Sequence, residues 1–79
     1  LRDLNRQAVL GWRARFRAHL DAIMVDHPPR DAVDMDALAD MVNGVIEGGI
    51  IIAKALNEPR ATEKQVLLLR SYLKLLFAP

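Results

Sequence analysis

The sequence holds no cysteine, which removes disulfides and thiol chemistry together. That agrees with a reducing compartment, and the cytoplasm is the expected location. Aromatic residues make up only 5% of the chain, so most of any core has to be aliphatic. No stretch reaches the roughly 18–20 uninterrupted apolar residues that cross a bilayer. The longest apolar-plus-glycine run is Gly48 to Ala53, far too short to span one. An excess of one charge is missing too: the net charge is +1, so nothing global calls for nucleic acid or an anionic membrane. The first residues are charged and do not form a secretory leader. The chain opens without an initiator methionine, which reads as a piece of something longer.

What is present is a short chain rich in aliphatic residues. Its 79 residues are 52% hydrophobic. A domain of this size buries only about 60–65% of the surface its unfolded chain exposes. Ordering it costs on the order of 100 kcal/mol in conformational entropy, so the margin is thin without a staple or a partner. Arg2, Arg6, Arg13, Arg15 and Arg17 make the opening segment basic, against Asp3 alone. Asp21, Asp26, Asp31, Asp34, Asp36 and Asp40 follow, against the single Arg30. The simplest reading is two helix faces that partly neutralise each other. Electrostatic nucleic-acid binding through the arginines is the sharper alternative.

Periodicity predicts three helices and an all-α fold in a single domain. Leu1, Leu4, Ala8, Val9, Trp12, Phe16, Leu20, Ile23 and Met24 recur at three- and four-residue spacing, which predicts a helix over about 1–27. Pro28-Pro29 stops it, because proline lacks the donor and disfavours helix in the residue before it. A second helix is expected over 36–56, capped by Asp34 or Asp36, with Asn57 in the left-handed position after it. A third is expected over 60–77. Thr62 and Gln65 have the spacing of a capping box, with Pro59 as an alternative opening residue.

The second helix is apolar almost all the way round. Its polar side chains Asp40, Asn43, Glu47 and Lys54 fall on one thin line, and only Ile51 intrudes. A helix lying on one core needs one apolar stripe; a helix apolar on two sides needs two covers. One side is bulky (Leu38, Val42, Val45, Ile46, Ile52, Leu56) and is expected to face the first helix. The other is small or flexible, with Ala37, Met41, Gly44, Gly48, Ile51 and Ala55. Glycine inside a helix is costly, and close helix–helix approach is the usual reason for it. The third helix repeats the surplus. The small side, with Leu68, Leu69, Tyr72, Leu75 and Leu76, is therefore expected to meet a second copy in an intermolecular four-helix bundle.

This pattern resembles the end of a TetR-family transcriptional regulator. The residues that carry the resemblance are the Ile46-Glu47-Gly48 step, Ala53-Lys54-Ala55, and the leucine-rich run Gln65–Phe77. The similarity covers residues 36–77 and is only generic before them. It implies that the last two helices form a homodimer interface: Met41, Gly44, Gly48, Ile51, Ala55, Leu68, Leu69, Tyr72, Leu75 and Leu76. It also implies that the preceding helix walls a pocket for a small effector, a role that falls on Trp12, Phe16 and His19. Operator DNA would be read only by an N-terminal helix-turn-helix domain, which these residues do not include. No cofactor is expected.

Catalytic and metal signatures are weak. His19 and His27 are eight residues apart with no matched third ligand, so no metal site is expected. Trp12 and Phe16, one turn apart, read as core anchors or as pocket walls. No nucleophile–base grouping and no phosphate-cradling loop is present, and the chain is not expected to be an enzyme. Two alternatives stand beside the regulator: a stand-alone helical dimerisation module, and a small all-helical enzyme of the chorismate-mutase type. The second would use Glu47 and Lys54 with arginines around a dianion.

Overall fold

The computed structural model describes residues 2–79 as three helices: α1 (Arg2–Asp26), α2 (Met35–Ala55) and α3 (Ala61–Leu76). The fold is all-α, with no strand among the described residues. Leu1, expected to open the first helix, lies outside them. The other helix bounds fall within a residue of those expected from the sequence.

Local chemistry explains each end. The side chain of Asp34 caps α2 by accepting from the backbone N–H of Asp36 at 3.0 Å and of Ala37 at 3.1 Å, worth about 1 kcal/mol. Asp36 is thus the acid of the first turn, suited to the positive end of the helix dipole, and not the cap. At the other end Asn57 takes a left-handed φ of 52°. The Glu58 N–H donates back to the Ala53 carbonyl at 3.0 Å, the long-range bond of a Schellman motif.

The start of α3 departs from the expectation. Ala61 N–H donates to the Glu58 carbonyl at 3.0 Å, so Pro59 sits in a tight turn and opens no helix. Thr62 lies inside the first turn and makes no cap, and the capping box with Gln65 does not form. Arg60 and Glu63 instead pair across the helix start at 3.1 Å.

The central α2 packs against both α1 and α3. The molecule measures 39 × 31 × 16 Å. Its radius of gyration is 14.0 Å, against roughly 12 Å for a globule of this length. Accessible surface is 6094 Å², whereas a folded monomer of this mass exposes about 4,800 Å². The surplus, about 1,300 Å² by that scaling, is the physical form of the shortage of cover read from the sequence.

A small core holds one end together. Leu20 of α1, Met35, Leu38 and Ala39 of α2, and Leu76 and Phe77 at the end of α3 form one buried cluster, with Phe16, Met24, Val33 and Leu73 against it. The linker is tied in by its backbone: Arg30 N–H donates to the Leu76 carbonyl at 2.7 Å, satisfying an acceptor that the end of α3 leaves free. Further along, α2 and α3 meet at Gly49, where an added Cβ would stand 2.8 Å from the Thr62 Cα. Close approach does explain a glycine here, but that glycine is Gly49. A Cβ at Gly44 or Gly48 would meet nothing within 4 Å.

Candidate functional site

Two stripes of apolar side chains stand uncovered on α2 and α3. On α2, Met41, Gly44, Gly48, Ile51 and Ala55 follow each other at three- and four-residue steps, which keeps them on one side of the helix. Gly48 is partly exposed and the other four are exposed, Ile51 by 65%. On α3, Leu68, Tyr72 and Leu75 share one flank, with Leu68 66% and Leu75 65% exposed. Among the described residues nothing covers them.

Two members of the expected interface do not belong to it. Leu69 and Leu76 are buried within the chain, on the stripe of α3 that also carries Gln65 and Leu73 and faces α2. Two successive seven-residue steps link Thr62, Leu69 and Leu76, so the close contact of Thr62 with Gly49 fixes that stripe inward. On the bulky side of α2, Leu38 is buried and Val42, Val45 and Ile46 are partly so. Leu56, assigned to that side, is 63% exposed because it lies beyond the last turn.

One member of the polar line of α2, Asp40, has a structural task. Arg13 grips Asp40 with two bonds, Nε to Oδ1 and Nη2 to Oδ2, both 2.8 Å. Arg17 donates to Asp21 and to Asp36, each at 2.8 Å. The basic opening segment and the acidic one that follows thus neutralise each other across α1 and α2. Asp40 therefore faces α1 rather than open solvent. Hydrogen bonding to Arg13, reinforced by its charge, holds the Asp40 carboxyl below its usual range. Side-chain exposures of 35% and 42% keep the pair in contact with water, so it sets helix register more than it stabilises.

A pH dependence follows from that direction. A lowered carboxylate pKa contributes stability that is complete above about pH 4 and is lost as pH falls through the lowered value. Asp40→Asn is expected to melt below the wild-type chain at neutral pH, and the gap should close on acidification. Thermal melts between neutral and strongly acid buffer check this. A gap that ignores pH would show that the charge of the pair contributes nothing.

The expected pocket residues are partly assembled. Trp12 and Phe16 stack, with ring centroids 5.7 Å apart and planes inclined by 19°. The Arg15 guanidinium stands 5.3 Å from the Trp12 ring centre, a cation–π distance. Phe16 reaches the core, Trp12 is half-exposed, and His19 is exposed. These three line none of the cavities described for the chain. The cavity on this flank begins further along α1, where Ile23 and His27 face Val66, Leu69, Arg70, Leu73, Lys74 and Phe77 across an open groove of about 560 Å³. Trp12, Phe16, His19, Ile23 and His27 follow one another at helical spacing, so the expected wall and the observed one share a flank of α1. Sequence reading missed the groove: Arg70 and Lys74 read there with Glu63 and Ser71 as the polar edge of the third helix, and His27 as a residue near the end of the first.

Other chemistry is sparse. Among the described residues no group of three or more His, Asp or Glu side chains lies close enough to hold a metal ion. Glu47 and Lys54 are both exposed on α2, while Arg13 and Arg17 are already bonded to aspartates. No described helix is long and apolar enough to cross a membrane. Compared with known proteins, the chain matches no family model, and neither a curated protein nor a solved structure is significantly similar to it.

Proposed function

We propose that this chain is the homodimerising and effector-binding end of a TetR-type transcriptional regulator of the repressor kind, acting in the cytoplasm. In this reading α2 and α3 of two protomers pair into an intermolecular four-helix bundle. The contact surface is Met41, Gly44, Gly48, Ile51 and Ala55 with Leu68, Tyr72 and Leu75. Operator DNA is bound only through an N-terminal domain outside these residues, and the chain itself catalyses nothing.

The single observation that carries the reading is the uncovered double stripe on α2 and α3. A stable specific interface removes about 800 Å² from each partner. The surplus of about 1,300 Å² over a compact monomer is of the size that an obligate partner takes up. Exposed glycines favour a second copy over solvent, because a bare helix flank lets another helix approach closely while a wet one gains nothing from lacking Cβ.

Sedimentation equilibrium tests it. The chain is expected to sediment as a dimer at micromolar concentration. A monomer there would sink both the regulator reading and its alternative, a stand-alone dimerisation module that would use the same surface. Those two part on the coding sequence upstream of Leu1, where a helix-turn-helix would favour the regulator.

A further inference from the structure

The groove between α1 and α3 has a chemistry that the dimer surface lacks. Its walls are aliphatic and aromatic: Ile23, Val66, Leu69, Leu73 and Phe77. Its rim carries Arg70 and Lys74, one turn apart on α3, and His27 opposite them; no acidic side chain lines it. Among the described residues neither Arg70 nor Lys74 makes an ion pair or a side-chain hydrogen bond. The acids that could have served are placed elsewhere. Glu63 is held by Arg60, and Asp26 lies outside the groove, in an adjoining depression that also holds Arg30.

Ligand sites are concave, mostly apolar and of about 300–1,000 Å³, with a few convergent polar groups that fix orientation. The groove has the size, about 560 Å³, the apolar lining and the few polar groups of that description, and it is open along one side. We propose that it binds an amphipathic anion: a carboxylate head carrying an aliphatic tail of medium length. The tail lies along Ile23, Leu69, Leu73 and Phe77, where burial of apolar surface supplies the affinity. The head sits between Arg70 and Lys74, the first offering a planar fork and the second a mobile point charge. His27 supplies a further donor from the α1 side. The dimer surface contributes no residue to this site, because Leu68, Tyr72 and Leu75 lie on the opposite flank of α3.

Sodium decanoate, kept below its micelle concentration, is the probe, and calorimetry with backbone NMR shifts is the readout. Binding should saturate, with the largest shifts at Ile23, Leu69, Leu73 and Phe77. Decanol, with the same tail and no charge, should bind about tenfold more weakly, as expected for losing charge-assisted bonds at a partly wet rim. A double variant, Arg70→Gln with Lys74→Gln, should lose about the same factor for decanoate and little for decanol. Leu4→Ser, at an exposed position outside both the groove and the α2–α3 stripes, should leave decanoate binding unchanged. Non-saturable binding, equal affinity for decanol, a double variant that binds as the parent does, or loss of binding in Leu4→Ser would each overturn the proposal. A monomeric chain that binds decanoate as described would support it even with the dimer reading lost.

Discussion

Gly49→Leu is expected to disrupt the packing of α2 on α3. A single added Cβ would already stand 2.8 Å from the Thr62 Cα and 3.3 Å from its Oγ1. The first of these atoms is backbone, so no rotamer change relieves the clash. Overpacking of a close contact costs about 1–3 kcal/mol, occasionally more, and a leucine here belongs at the upper end. A chain of this length has roughly 4–12 kcal/mol of stability in all. The gain from replacing helical glycine, about 1 kcal/mol, does not offset it. Urea unfolding should show a much lower midpoint; an unchanged midpoint would mean that Gly49 does not set the distance between the two helices.

Gly48→Leu carries the same chemistry one residue earlier and should behave in the opposite way. A Cβ there meets nothing within 4 Å, so helix content and the packing of one protomer should survive. Association should not. The substitution enters a two-fold interface twice, and overpacking at about 1–3 kcal/mol per site gives roughly 2–6 kcal/mol, a weakening of about 30-fold or more. Sedimentation of the variant beside the parent measures it. A variant that folds and dimerises like the parent would move the contact away from the small side of α2. The pair forms a control for itself, since the same side chain is added at adjacent positions.

The helices were legible because their ends are written in local chemistry. Pro28-Pro29, the Asp34 cap and the left-handed Asn57 act within a few residues and need no tertiary context. The cap of α3 was not legible, because Pro59 and Thr62 give two overlapping start signals. Neither opens the helix: Arg60 precedes it without a side-chain cap, and Pro59 sits in the turn before it. The roles of Leu69 and Leu76 were unreadable for a related reason. Apolar side chains together cover more than half of the circumference of α3, and periodicity cannot tell an inner stripe from an outer one when both are apolar. The charge complementarity between the arginines of α1 and the aspartates beyond them was visible, but its specific pairs were not. The groove needed the fold itself: Ile23 and His27 meet Val66 to Phe77 only after α2 has reversed the chain.

The position of α3 between two open surfaces has a thermodynamic consequence. Leu69 and Leu73 look toward the groove, while Leu68, Tyr72 and Leu75 look out from the far side of the same helix. Occupants of the two surfaces would stand one helix width apart, about 10–12 Å. A tilt or slide of this one rod is felt by both at once, with no relay of intervening residues. Linkage then makes the traffic two-way: by whatever factor a small anion altered pairing of the chains, pairing would alter the hold on that anion.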